Sequence, residues 1–435
     1  MRLWQRLLIL VILADGAYVP ALQLPFIEDD YGEIPLARSF ASAGWGPLWR
    51  NPALRTRATS IVLNAALERV WGFTPAPFYA VSIVVHSLCV LLIYAASAWS
   101  EILDASTAFW AACFFAVYEG HQEAVMWISA RSESLLFLFG MLTWVCWLMY
   151  LRTRSARWYC LSIVSFVLAA LSKESFVVFP VLMLLPCIWP PEGSSRRTAL
   201  AGMIPFFAIV IGYLAWTWLG RFAAPDYSDN RFLLTAAWPL VMLRSVWRLI
   251  FVWGLVALAI LLWTGRRTDR TKVVIALAWI LIAVFPYSFL TYMPQIASRH
   301  AYIASAGLAL LVGTAAARLS AANHRAILGI LCLAVLALNL EILWVKKMSQ
   351  FRERAEPSEL LKAAAREADG PVFISCTPFP DFLSEAVVAS AGGRDSFRHP
   401  GAHDDHCFAV DYKNAAGVRV SIDRRIRTRT HGAFY

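Results

Sequence analysis

The sequence predicts an all-α polytopic membrane protein of about 11 transmembrane helices, closed by a small C-terminal α/β extracytoplasmic domain. Three observations carry that prediction. Of 435 residues, 59% are hydrophobic and only 16% charged, against roughly 25% charged in an ordinary soluble domain. The 19 Trp and 26 Phe, with a mean hydropathy of +0.57, offer more apolar surface than one globular core can bury. Apolar runs then recur through residues 1–345, separated by short polar segments.

The first run, residues 3–24, follows Arg2 and Arg6 and continues past the small residues Ala14-Asp15-Gly16-Ala17. Its length favours an uncleaved signal-anchor helix with a cytoplasmic N-terminus over a cleaved signal peptide. Residues 25–77 form a long first extracytoplasmic loop, with helix-like patches at 34–42 and 59–71 that are too polar to span. Ten apolar segments follow, near 78–99, 106–118, 135–151, 158–171, 176–189, 200–219, 246–263, 273–292, 302–317 and 326–345, against ~20 residues per crossing helix. The cytoplasmic connections then hold Arg152, Arg154, Arg157, Arg196, Arg197, Arg266, Arg267, Arg270, Lys272, Arg318 and Arg325, as a positive-inside bias expects. The external connections hold nearly all the acidic loop residues, Asp226 and Asp229 among them, but also Arg50, Arg55, Arg57, Arg131, Arg221, Arg231 and Arg299. An odd number of crossings places residues 346–435 outside. There, 371–376, 407–412 and 418–423 read as strands, 382–391 as a helix and Asn414-Ala-Ala-Gly417 as a turn, ahead of a basic end with Arg427 and Arg429.

The formal net charge of +10 does not point to nucleic acid, because no nucleic-acid module is present. The arginines gather in short connections, where topology signals and lipid phosphates both operate. Six of the eight Cys lie inside apolar runs and read as small core residues. Cys376 and Cys407 fall in the tail and can form a disulfide if it is extracytoplasmic.

Polar residues suited to chemistry gather in five places. Glu28, Asp29 and Asp30 follow the first span; adjacent carboxylates at an interface are either a helix cap or a general base with a partner. Arg55 and Arg57 follow, then His86 in the second span; arginine binds phosphate in a bidentate fashion. The hairpin from Glu119 to Glu133 packs His121, Glu123 and Arg131 together but lacks the HExxH spacing of a zincin. Lys173-Glu174 is an ion-pair candidate between two short spans. The fifth is Ser298-Arg299-His300-Ala301-Tyr302, basic beside an aromatic.

Together these segments resemble the GT-C superfamily of integral-membrane glycosyltransferases, in particular the protein O-mannosyltransferase-like and TPR-containing O-mannosyltransferase enzymes. Phe26-Ile-Glu28-Asp29-Asp30-Tyr31 is similar to that family's first-loop carboxylate motif. Arg57, Leu63-Asn64, Trp71-Gly72-Phe73 and His86 resemble its Arg-Pro, Gly and His stretch. The most specific likeness is His121-Gln-Glu123-Ala-Val-Met-Trp127-Ile-Ser-Ala-Arg131-Ser-Glu133, which follows His-x-Glu-Ala-Val-x-Trp-Ile-Ser-x-Arg-Ser. Leu171-Ser-Lys173-Glu174 and Arg299-His-Ala-Tyr302 resemble the family's Leu-x-Lys-Glu and late Arg-Tyr loops. Ala58 departs from the family's Pro, and no TPR pattern follows Lys346.

The resemblance implies a GT-C type fold and an enzyme that moves a sugar from a polyprenyl-phosphate-linked donor to an acceptor hydroxyl on protein, lipid or glycan. Transfer would occur at the extracytoplasmic face, here of a bacterial inner membrane, with the C-terminal domain periplasmic. Within it, Asp29 is the expected base and Asp30 the second candidate, by a single inverting displacement. Arg57, Lys173 and Arg299, then Arg131, are expected to receive the phosphate, with His121, Glu123 and Tyr302 also lining the substrate site. The stoichiometry requires no nucleotide, and the resemblance admits a divalent cation held by Asp29 or Asp30 with His121 or Glu123. Two alternatives stand beside this reading. A transporter or lipid flippase would show broken helices or duplicated halves, and no self-similar halves occur. An O-antigen ligase or polymerase would carry its large loop late, whereas here it comes first.

Overall fold

A chain this apolar must satisfy its backbone polar groups internally, and the apolar runs expected from the sequence are helical over most of their length. The computed structural model describes residues 1–220, 235–264, 267–290, 294–392, 396–398 and 406–426. Arg221, Asp226, Asp229, Arg231, Arg266, Arg427 and Arg429 lie outside the described residues.

Helix α1 (Leu3–Tyr18) leads into the first loop, which folds as α2 (Asp30–Ala43), α3 (Gly46–Arg50), α4 (Pro52–Arg55) and α5 (Ala58–Trp71). Ala58 is the first residue of α5, a position where the family's Pro would also fit, since its missing N–H has no partner in the first turn. The main bundle follows: α6 (Pro75–Ala95), α7 (Ala105–Val117), the short α8 (Gln122–Met126), α9 (Arg131–Thr153), α10 (Ala156–Ala170), α11 (Val178–Ile188), α12 (Arg196–Gly202), α13 (Ile204–Gly220), α14 (Trp238–Ile250), α15 (Trp253–Thr264), α16 (Arg267–Val284), α17 (Ser305–Ala321) and α18 (Arg325–Glu341).

Among the described residues, six helical stretches are long and apolar enough to cross a membrane alone: Leu3–Gln23, Pro75–Ala98, Ile128–Thr153, Arg196–Leu219, Asp269–Phe289 and Arg325–Glu367. Four apolar helices are shorter, and α14 with α15 forms a pair bent by 70°. Eleven crossings are reached only when the bent pair and the four short helices are counted with the six. The bend corrects the single straight segment expected at 246–263. Helix α14 mixes Arg244 and Arg248 with exposed Leu240, Leu243 and Trp247, the composition of a helix lying in the interface rather than crossing it.

Small residues let the central helices approach closely. A Cβ on Gly313 of α17 would lie 2.5 Å from the Ala111 nitrogen of α7, and one on Gly307 would lie 2.5 Å from the Ala276 carbonyl of α16. Polar groups are divided between the two ends of the bundle. At one end Lys272 pairs with Asp104 at 2.7 Å, Arg318 with Asp269 at 3.1 Å, and Arg152 donates to the Ala98 carbonyl. The first loop and the 118–130, 171–177 and 294–304 segments meet at the other end, through bonds such as Thr59 to Ser172 (2.8 Å) and Gln122 to Ser298 (2.8 Å).

The tail joins this second end. Helix α18 passes through a π-helical turn at Ile342–Lys347 into α19 (Met348–Glu367), so the chain runs through residue 346 as helix. Beyond it lie β1 (Val372–Cys376), α20 (Asp381–Ser390), β2 (Ser396–Arg398), β3 (Cys407–Lys413) and β4 (Arg419–Arg425), in sheet order β2-β1-β3-β4. The β1–β2 pair is parallel and the others antiparallel. The Asn414 side chain accepts the Ala416 and Val418 amides, and Gly417 takes the positive φ (72°) that the β3–β4 turn requires. Cys376 and Cys407 form a disulfide between β1 and β3. Helix α20 rests on α2, with Leu383 and Phe382 against Gly32, which fixes the tail on the first loop. The expected strands and the 382–391 helix are present; α19 and β2 were not expected from the sequence.

Candidate active site

Three consecutive acids open the site, and the structure treats each differently. Glu28 is buried, has a positive φ of 39°, and accepts a 2.7 Å bond from Arg354 of α19. Asp30 is fully buried; its Oδ1 accepts the Ser129 amide (2.9 Å) and hydroxyl (2.7 Å), and its Oδ2 accepts the Ile27 amide (3.0 Å). Asp29, between them, occupies the N-cap position of α2 without a side-chain capping bond and is exposed. Burial pushes the Asp30 carboxyl up to about 6, against the opposing hydrogen bonds from Ser129 and Ile27. The first and second candidates for the base are thus distinct in setting: Asp30 ties the loop to the 128–130 turn, and Asp29 is presented to solvent.

Arg57, half-exposed at the N-terminus of α5, lies 3.8 Å from Glu33. The carboxylates of Glu174, Glu33, Asp29 and Glu133 keep its guanidinium charged despite desolvation. Burial lifts Glu33 to about 7; Arg57 opposes this and Asp29 and Asp30 reinforce it. Arg55 turns away and lies 3.5 Å above the Trp216 ring.

The Lys173–Glu174 pair expected from adjacency does not form. Lys173 is buried and reaches Glu133 at 2.7 Å, while Glu174 starts a 3-10 turn and stays exposed. Successive side chains in an extended backbone point opposite ways, and Lys173 is extended. Glu133 also accepts from His300 (2.5 Å) and Tyr287 (2.9 Å), so one carboxylate gathers α9, the 171–177 turn, the Phe285–Phe289 turn and the 294–304 segment. Burial pushes His300 down to about 4, although Glu133 favours its charged form.

Glu123 holds the late loop. Its Oε2 accepts the Arg299 amide (3.1 Å) and guanidinium (3.3 Å). Burial disfavours the Glu123 anion, but Arg299 outweighs it and holds the carboxyl below its ordinary range. Arg299 keeps about a fifth of its side chain exposed and faces Trp127, whose ring also carries Arg354 at 3.9 Å.

Three expected substrate residues sit deeper. Arg131 is fully buried and bonds the Phe78 carbonyl and Asn64. His121 bonds Ser305 at 2.6 Å, and Tyr302 bonds His86 at 2.7 Å, within an aromatic cluster containing Phe115, Phe137 and Tyr118. Burial and the nearby His86 push His121 well down, which keeps the imidazole neutral. Among the described residues no three His, Cys, Asp or Glu side chains are placed to hold a metal ion, so Asp29, Asp30, His121 and Glu123 form no such set.

The arrangement therefore sets the exposed Asp29 and Glu174 carboxylates in the field of the partly exposed Arg57, over a floor of buried ion pairs. On the late loop, the partly exposed Arg299 is held by Glu123. The signal the sequence reading missed is in α19: Arg354, in a charged stretch that looks solvated, is 8% exposed.

Searched against models of protein families and against curated proteins, the chain matches none. Solved structures do match. One is ArnT from Cupriavidus metallidurans, bound to undecaprenyl phosphate, with a TM-score of 0.54 and 13% identity over 89% of this chain and 85% of that one. Another is the archaeal oligosaccharyltransferase AglB from Archaeoglobus fulgidus, in complex with an inhibitory peptide and a dolichol-phosphate, with a TM-score of 0.56 and 11% identity. That match covers 92% of this chain but only 64% of AglB, so the chain spans less than two thirds of its length. At such identities the likeness speaks for the fold. The protein is a multi-pass membrane protein with the GT-C fold.

Proposed function

We propose that the protein is a glycosyltransferase that takes a sugar from a polyprenyl-phosphate-linked donor and delivers it to an acceptor hydroxyl. The observation that carries this reading is the exposed Asp29, held between two pinned acids and within the field of Arg57. The fold is shared with ArnT, which was solved with undecaprenyl phosphate, and with AglB, solved with dolichol-phosphate.

Asp29 takes the proton from the acceptor hydroxyl as its oxygen attacks the anomeric carbon. The new C–O bond forms as the bond to the lipid phosphate breaks, and the electron pair leaves with the phosphate. Arg57 and Arg299, charged and partly exposed, stabilise that departing anion without reorganising. A single displacement inverts the anomeric centre. Lys173, Glu123, Arg131, His121 and Tyr302 act behind these groups, holding the loops that carry them. The sequence resemblance favours a mannosyl or related hexosyl donor. The disulfide in the tail supports an extracytoplasmic site, since disulfides persist in oxidising compartments.

The test combines the purified protein with polyprenyl-phosphate hexoses and compares glycoproteins and glycolipids by mass spectrometry with and without the chain. One hexose mass gained only in the protein's presence is expected. Its absence for every donor, with the fold intact, overturns the proposal.

A further inference from the structure

We infer that Arg354 of α19 is a positioning residue for Asp29, so that the tail completes the active site built on the membrane bundle. The inference rests on Asp29 being the catalytic base. Arg354 belongs to the helix that leaves the membrane region, yet its side chain is 9% exposed and donates to Glu28 at 2.7 Å. Its guanidinium carbon lies over the Trp127 ring, 3.9 Å from the centre, a cation–π contact that adds to the hold on its position.

The residue it grips is the unusual one. Glu28 adopts φ 39°, a left-handed conformation that disfavours any residue with a side chain. Such a backbone persists only where its surroundings hold it. That turn sends residue 28 inward and Asp29 outward at the start of α2, while Ser129 pins Asp30 on the other side. The charge of Arg354 also reaches Asp29 and Glu123. Being so enclosed, Arg354 is poorly placed to touch substrate itself, and its effect passes through the backbone of residues 28–30.

The experiment uses Arg354→Met and, as a milder probe of the same bond, Glu28→Gln in the full chain. Arg352→Met, an exposed arginine on the same helix, controls for lost charge. Hydrogen exchange over residues 26–34 reads the turn whatever the substrate is; about tenfold faster exchange is expected in both variants and none in the control. In the transfer assay kcat is expected to fall about 100-fold with KM changed by less than about threefold, as displacement of a base by about 1 Å produces. The double variant should be no worse than the more damaged single one, since both break one bond. Unchanged exchange in both variants overturns the inference, and so does faster exchange with undiminished kcat or a loss confined to KM. If the parent protein transfers no sugar, the proposed reaction fails, while faster exchange still supports the clamp and unchanged exchange still rejects it.

Discussion

Ser129 gives both its backbone N–H and its hydroxyl to a single oxygen of Asp30, at 2.9 and 2.7 Å. That pair of hydrogen bonds separates the roles of two neighbouring carboxylates. Asp30→Ala strands the Ser129 and Ile27 donors in a buried place, at a cost of about 1–3 kcal/mol for each unsatisfied group. It should lower the thermal midpoint and the yield of folded protein. The Asp29 side chain is exposed and makes no capping hydrogen bond to α2, so Asp29→Asn should retain folding while transfer falls by about 10²–10⁴-fold. Full activity in a well-folded Asp29→Asn protein would remove the general base from the mechanism.

The buried Lys173–Glu133 pair gives a second expectation. Lys173→Met leaves the Glu133 carboxylate without its cation, and breaking one member of a buried pair costs about 3–5 kcal/mol. Lys173→Met with Glu133→Gln removes both charges and should recover much of that loss. Denaturation in detergent measures both. A double variant as unstable as the single one would show that the pair does not act through charge balance.

Stability should also depend on pH through Glu33. Burial raises its carboxyl from 4.5 to about 7, so the folded protein keeps this proton at pH values where the unfolded chain has released it. The resulting stability is complete below 4.5 and is lost as the pH rises through 7; Asp30 acts in the same direction between 3.8 and about 6. Glu33→Gln cannot ionise, so its thermal midpoint should drop less between about pH 5 and about pH 8 than that of the parent. Equal drops would mean that Glu33 is not the group responsible.

The Cys376–Cys407 disulfide closes a 31-residue separation within the tail. Replacing both with Ser should destabilise the tail by about 2–4 kcal/mol and speed proteolysis there, with the bundle unaffected. Peptide mapping of non-reduced protein should recover the two cysteines joined. Two free thiols would speak against the extracytoplasmic placement.

Much of this architecture is legible in the sequence because periodicity and composition act locally. The apolar runs, the α2 and α5 patches and the Asn414–Gly417 turn declare themselves through neighbouring residues. What the sequence does not declare is direction. Asp29 and Asp30 look alike until Ser129, 99 residues away, claims one of them. Lys173 stands next to Glu174 yet chooses Glu133, and His121 and Tyr302 share motifs with surface groups but pack among rings. Arg244 and Arg248 hinted that the run near 246 would not cross straight, a clue carried by charge inside an apolar stretch.

The π-helical turn at Ile342–Lys347 sets the rotational phase of everything above it. Such a turn accommodates one residue more than an α-helical turn, and each residue in a helix advances the azimuth by about 100° and the height by about 1.5 Å. Deleting a single residue there would swing the guanidinium of position 354 round the shaft, out of reach of Glu28, with no atom of the tail itself altered. The spacing between bilayer and tail is therefore an angular setting, tolerant of composition and intolerant of length.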